Sequence, residues 1–237
     1  MDYRWDVPEG NPVLAALLDR RSLRFGFDER EVDRATLERI LACGLAAPSS
    51  KNAQPWRFHV VNNRPQIDRL ATMVNDAPDP DEYVPHNPRT GRPYPQYRST
   101  VRNSAAVLTD VPATIWIENL GAFSDGRRTL LTVPHEALAG SLQGFAFEMI
   151  GIGAAIENMW VAANTLGLGA VFMGDVVVAE SRIREELSLE GDLVGVLALG
   201  YSNATAVPPM DARSFADQDR IEWHPSTPSE VLPRDGS

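Results

Sequence analysis

Three short stretches of the sequence gather side chains suited to a charged or flat ligand. The first is Arg20, Arg21, Ser22, Leu23 and Arg24. Side chains alternate along an extended chain, so Arg20, Ser22 and Arg24 would share one side. Two guanidiniums and a hydroxyl there could cradle a phosphate or another anion. The same arginines would equally suit a helix end, where the dipole favours cations. The second stretch runs from Ala47 to Trp56 and holds Pro48, Ser49, Ser50, Asn52 and Gln54. Its hydroxyl and amide groups could reach a ligand, although turn chemistry alone would also explain them. The third, Leu166 to Gly174, brings Gly167, Gly169, Phe172, Met173 and Gly174 together. Glycine there lets backbone approach a flat ligand closely.

Other chemistries lack their residues. Cys43 is the sole cysteine, so no intrachain disulfide, CxxC pair or cysteine zinc site can form. His59, His86, His135 and His224 are too far apart for helical metal-ligand spacing, and no metal is expected. The glycine pairs Gly151/Gly153 and Gly167/Gly169 lack the third glycine and the strand-to-helix setting of a dinucleotide fingerprint. No GxSxG, Walker A or HExxH pattern occurs.

The elements that must position these stretches follow from periodicity. Asn11 and Pro12 begin a short helix to about Asp19, with Val13, Leu14, Leu17 and Leu18 on its apolar side. Asp33 caps a second helix carrying Leu37, Ile40, Leu41, Gly44 and Leu45, ended by Pro48. Trp56 to Val61 reads as a strand, with Trp56, Phe58 and Val60 on one face. A helix from about Pro65 to Asn75 presents Ile67, Leu70, Ala71 and Val74. Residues 76–99 are proline-rich and charged, which predicts a long loop or lid. A strand over Pro112–Glu118 and a polar connection from Asn119 to Thr132 come next.

Between about Leu138 and Leu166, Phe145, Met149, Ile152, Ile156, Met159, Ala163 and Leu166 recur at steps of three and four, one sustained helical face. Gly144, Gly151, Gly153, Ala154 and Ala155 thin that helix for a close backbone neighbour. Gln143, Glu148, Glu157, Asn158 and Asn164 would each be costly in hydrocarbon, so a buried helix is expected rather than a membrane span. A strand over Ala170–Met173, a helix with Ile183 and Leu187, and a strand over Leu193–Leu199 complete the pattern. The last thirty-odd residues are polar, with Phe215, Ile221 and Trp223 as isolated anchors that must lie over something else. The expectation is one domain over 1–237, with a lid at about 76–104 and a C-terminal arm at about 202–237.

At 237 residues and 43% hydrophobic content the chain can build its own core. A net charge of −10 argues against a nucleic-acid partner. Lys51 is the single lysine, so arginine takes nearly every cation role. The start of the sequence has no apolar signal-peptide core, and a cytoplasmic setting is expected.

Taken in order, Arg20-Arg21-Ser22-x-Arg24, the run from Ala47 to Trp56, the run from Glu157 to Gly169 and that from Val196 to Tyr201 resemble the flavin-dependent nitroreductase family. The resemblance implies an α+β fold with a mainly antiparallel sheet, an intertwined homodimer, and FMN held at the interface. It also implies a C-terminal extension that wraps the partner. Carried over by motif, Arg20 and Ser22 would hold the FMN phosphate and ribityl chain, with Arg21 contributing through its backbone. Arg24 would lie near flavin N1 and stabilise the reduced ring. Pro48, Ser49, Ser50 and Asn52 would reach the flavin of the other subunit. Phe172, Met173 and Gly174 would lie along the ring, and Arg213 near the phosphate. Residues 76–104 are longer than in many members, and Arg98, Arg102 and Asn103 stand as candidates for the pyrimidine edge. The implied activity is ping-pong hydride transfer from NAD(P)H through FMN to a nitroaromatic, a quinone or a similar organic acceptor. An FMN-dependent dehydrogenase or oxidase in a biosynthetic pathway, or a flavin-binding protein without turnover, are the alternatives.

Overall fold

A computed structural model of the chain describes residues 11–203. Four strands, β1 (Trp56–Val61), β2 (Ala113–Asn119), β3 (Gly169–Met173) and β4 (Asp192–Gly200), form one sheet in the order β1-β2-β4-β3. Every pairing is antiparallel, as expected from the family resemblance. All seven residues of β2, one of the two inner strands, are buried.

The helices are α1 (Pro12–Asp19), α2 (Arg34–Leu45), α3 (Arg64–Asn75), α4 (Val101–Asp110), α5 (Arg127–Leu130), α6 (His135–Thr165) and α7 (Glu180–Leu187). Asn11, Asp33 and Asn63 accept the first free amides of α1, α2 and α3 respectively. One face of the sheet packs on α3, α4 and α7 through Ile67, Leu70, Val101, Leu108 and Ile183. The other packs on α2 and α6 through Leu37, Ile40, Ile152 and Met159. Gly44 makes the α2–α6 crossing possible, because a Cβ there would lie 2.7 Å from Met159 Cγ.

Three expectations need correction. Val13, Leu14, Leu17, Leu45 and Val60 are exposed, so the apolar sides of α1, α2 and β1 are not fully covered by the described residues. Leu166 is also exposed, because it caps α6 instead of extending its buried face. The expected lid does not extend as a loop to residue 104, since α4 begins at Val101. Nor is the preceding segment featureless. Tyr94 N–H donates to Pro85 O (3.0 Å) and Asn87 N–H to Arg92 O (2.8 Å), closing a small hairpin around Gly91 at φ +66°.

Glu118, at the end of β2, shows how the buried polar groups are satisfied. Its carboxylate accepts from Glu190 N–H (2.6 Å), from Gly191 N–H and from His59 Nε2 (2.8 Å). Burial pushes this carboxyl up, but the amides and His59 outweigh burial and hold it below the ordinary carboxylate range. A depressed folded-state value contributes stability that is fully present above the unfolded value and lost as pH falls through the folded one. Melting temperature measured below pH 4.5 should therefore fall more steeply for the wild type than for Glu118→Gln. At neutral pH the substitution should cost about 1–3 kcal/mol. Equal acid slopes would show that these donors do not stabilise the anion.

Candidate functional site

The Arg20–Arg24 segment is bound to the edge of the sheet. Ser22 forms a parallel bridge with Ala170 of β3, and Leu23 N–H donates to Ala170 O (3.0 Å). Leu23 points inward and is buried against Gly169, where a Cβ would lie 2.1 Å from Leu23 Cδ2. Ser22 and Arg24, on either side of Leu23, are both exposed, as alternation along an extended chain requires. Arg20 departs from that alternation and turns toward α6. Its Nε donates to Glu157 Oε1 (3.0 Å), and its guanidinium lies 4.2 Å from the Trp160 ring centroid. The Arg21 carbonyl accepts from Trp160 Nε1 (3.3 Å).

Phe172, Met173 and Gly174 occupy the other end of the same strand. From Ala170 to Gly174 is four residues, roughly 13 Å of extended chain. Phe172 turns to the α6 side and packs on Gly195, where a Cβ would lie 2.6 Å from Phe172 Cζ. Met173 is buried on the opposite face. Gly174 borders a cleft of about 180 Å³ whose apolar wall includes Phe145, Met149 and Val194, with Arg127 and Asp192 at its polar end.

Pro48 to Gln54 forms a strained turn. Lys51, Asn52 and Gln54 all have positive φ (51°, 54° and 46°), a conformation that costs a non-glycine residue about 1–2 kcal/mol. The Ser49 hydroxyl accepts Gln54 N–H (3.0 Å) and holds the turn. Turn chemistry is thus real here, and strain of this kind gathers at functional sites. The turn rests on α6 at Gly151, where a Cβ would lie 3.2 Å from Ser49 Cβ.

Within one chain, α6 keeps the serine turn away from the arginine segment. Gly151 carries the turn and Glu157 holds Arg20, six residues on, which is about 9 Å along the helix and about 120° around it. Ser22 and Arg24 thus lie along β3 with Phe172–Gly174, and Arg20 and the Ser49 turn meet α6 on different parts of its surface. Arg213 lies outside the described residues. Of the pyrimidine-edge candidates, Arg102 is engaged with Asp81 (2.8 and 3.0 Å), while Arg98 and Asn103 are exposed.

Two features were not anticipated. Asp175, immediately after Gly174, accepts from Thr100 Oγ1 (2.7 Å) and Ser104 Oγ (2.8 Å), tying the start of α4 to the end of β3. Glu148 on α6 is fully buried, with Asn119 Nδ2 (2.8 Å), Phe123 N–H (2.6 Å), Ser124 N–H (2.8 Å) and Ser124 Oγ (2.7 Å) around it. It fixes the loop between β2 and α5. The sequence signal was present in both cases, a carboxylate in an apolar run and another beside a glycine, but their partners are distant in the chain.

The profile of the nitroreductase family matches residues 17–201. A Methanothermobacter thermautotrophicus protein, provisionally named NADH dehydrogenase/NAD(P)H nitroreductase, is 28% identical over 88% of this chain and 85% of its own length. The 5,6-dimethylbenzimidazole synthase of Rhodospirillum rubrum is 23% identical over 91% of this chain and 90% of that protein. Among solved structures, an FMN-dependent nitroreductase from Clostridium difficile superposes with a TM-score of 0.58 at 20% identity, covering 90% of this chain and 99% of the other.

Proposed function

The chain belongs to the nitroreductase family, and from that premise we propose that it is an FMN-dependent NAD(P)H oxidoreductase whose two sites lie between the subunits of a homodimer. The observation that carries this reading is the parallel pairing of Ser22 with Ala170, which puts the exposed Ser22 roughly 13 Å along β3 from Gly174 and leads the chain to exposed Arg24 in the direction of that glycine. That donor set fits the cofactor: the Arg20 guanidinium and the Ser22 hydroxyl at one end suit a phosphate, and a glycine after apolar Phe172 and Met173 suits a flat ring. The chemistry supplied by bound FMN is two-electron transfer from reduced nicotinamide to an organic acceptor such as a nitroaromatic or a quinone, in ping-pong order. Arg20 and Ser22 hold the phosphate and ribityl chain, and Arg21 fixes the segment to Trp160 through its carbonyl. Phe172, Met173 and Gly174 line the ring. Pro48, Ser49, Ser50 and Asn52 serve the site of the other subunit.

The homodimer is supported by α6. Leu142, Ala146, Ile150 and Gly153 make a second stripe on this helix, exposed along its length, with Phe147 beside it. Ile150 is 70% exposed, and an apolar stripe on this scale marks a surface that is covered in use.

Anaerobic titration of the FMN-loaded protein with NADH and with NADPH, followed by absorbance, tests the reading. Bleaching of the flavin by either donor is expected, and a flavin that responds only to dithionite would overturn the assignment. The likeness to the 5,6-dimethylbenzimidazole synthase of Rhodospirillum rubrum supports one alternative, an FMN-dependent oxidase or dehydrogenase in a biosynthetic pathway, and the same titration separates the two.

Arg24 provides a second test. Reduction places negative charge at flavin N1, and a cation beside it favours the reduced form. Arg24→Gln should lower the two-electron potential by about 30 mV or more, equivalent to about 1.4 kcal/mol. Arg24→Lys should recover part of that shift. An unshifted potential on spectroelectrochemical titration would make Arg24 a solvated neighbour of the phosphate site and no more.

A further inference from the structure

From Tyr83 to Thr109 the chain has four arginines in 27 residues and no aspartate or glutamate, although its net charge is −10. Arg102 is spent on Asp81. Among the described residues, Arg89, Arg92 and Arg98 enter no ion pair, and all three are exposed. Arg89 and Arg92 sit at the tip of the hairpin closed by the Pro85–Tyr94 and Asn87–Arg92 hydrogen bonds. A local excess of cation on an acidic protein creates a field that gathers anions at one place.

The hairpin is rooted beside the proposed ring site. Thr100 and Ser104, at the start of α4, donate to Asp175, the neighbour of Gly174. The Ser99 hydroxyl donates to Pro80 O and Arg102 pairs with Asp81, so both legs of the segment are tied together at its base. Pro85, Pro88, Pro93 and Pro95 stiffen the hairpin, so its cations are presented with little ordering cost left to meet on binding.

We propose that Arg89 and Arg92 hold the phosphate groups of the nicotinamide dinucleotide whose reactive ring is delivered at Gly174. This rests on the reading of the chain as an NAD(P)H oxidoreductase. Two polyanions must then be accommodated, the FMN phosphate and the dinucleotide phosphates. Arg20 and Ser22 stand toward the Ala170 end of β3 and serve the first. The second needs cations beyond the Gly174 end. Pro85 to Asn87 pairs with Arg92 to Tyr94, and the chain turns back over Pro88 to Gly91, so Arg89 and Arg92 are carried at the end of a projection from the protein. The guanidinium fork matches phosphate oxygens, which suits arginine to this task in a chain with a single lysine.

The test is equilibrium binding of two redox-inert fragments, ADP and 2′,5′-ADP, to the oxidised FMN-loaded dimer by calorimetry. Arg89→Gln/Arg92→Gln should bind at least one of them about ten-fold more weakly than wild type. Weakening of both fragments would place the arginines on the pyrophosphate, and weakening of 2′,5′-ADP alone would place them on the 2′-phosphate. Arg89→Lys/Arg92→Lys should recover part of the loss, and added salt should weaken wild type more than the glutamine variant. An unchanged flavin spectrum and melting temperature would verify that the variants are folded. Equal affinities of wild type and glutamine variant for both fragments would overturn the proposal, as would wild type binding neither while NADPH reduces its flavin. Failure of NADH and NADPH to reduce the flavin would instead bring down the oxidoreductase reading, because the hairpin is judged on the binding ratio alone.

Discussion

Ile150→Arg is expected to yield a folded monomer that no longer retains FMN. Ile150 is the most exposed large apolar residue on α6 and lies on the stripe of Leu142, Ala146 and Gly153. The opposite face of the helix is already committed to Ile152, Ile156, Met159 and Ala163 in the core, so the substitution should leave the subunit intact. In a helix-to-helix interface, an unpaired guanidinium carries a desolvation cost of several kcal/mol. At 1.4 kcal/mol per decade, about 4 kcal/mol weakens association on the order of a thousand-fold. Flavin should leave with the partner, because α6 holds the Ser49 turn about 120° around from Arg20 within one chain. Light scattering would report the mass and the absorbance spectrum the flavin. Ile150→Leu should behave as wild type. A monomer that keeps its FMN would refute the shared site, and an FMN-loaded dimer carrying arginine at 150 would move the interface off this stripe.

The strands and most helices were legible in sequence because their burial is periodic. β1 runs over Trp56–Val61 and α3 over Arg64–Asn75, each within a residue of expectation. α4 was not legible, and its first residues show why. Thr100 stands at its N-cap but gives its hydroxyl to Asp175 in place of capping the helix, and small Ala105 weakens the apolar signal of Val101, Val107 and Leu108. The hairpin of residues 85–94 was hidden by its prolines, which carry no amide proton and break the alternation that usually marks paired chain. The site behaves similarly. Arg20, Ser22 and Arg24 could be picked out by type and spacing, but only the fold brings Ser22 to Ala170, 148 residues away. The turn at Ser49 to Gln54 was readable as a turn, and nothing in its composition announced three residues at positive φ. Glu148 read as an interruption of an apolar helix, whereas its four donors make it the anchor of the β2–α5 loop.

Arg20→Ala is expected to weaken FMN on the order of a hundred-fold and riboflavin far less. Charge-assisted hydrogen bonds contribute about 1.5–3 kcal/mol each, and they exist only when the ligand carries a phosphate. The structure adds a reason for arginine in particular. Glu157 holds the Nε edge at 3.0 Å and Trp160 lies under the guanidinium plane at 4.2 Å, so the fork is oriented before any ligand arrives. Its side chain is only 14% exposed, which limits screening by salt. The same contacts make Arg20 a structural residue too, since alanine strands Glu157 and uncovers Trp160. Some loss of stability is therefore expected whatever the ligand, and the ratio of FMN to riboflavin affinity is the informative measurement. Arg20→Lys should keep part of the FMN preference through its charge while losing the fork and the stacking. Glu157→Gln, which leaves the cation in place, should reduce FMN affinity only modestly. Equal losses of both ligands in Arg20→Ala would mean that Arg20 serves the packing of α6 against β3 and that the phosphate is held by Ser22 and the neighbouring backbone without it.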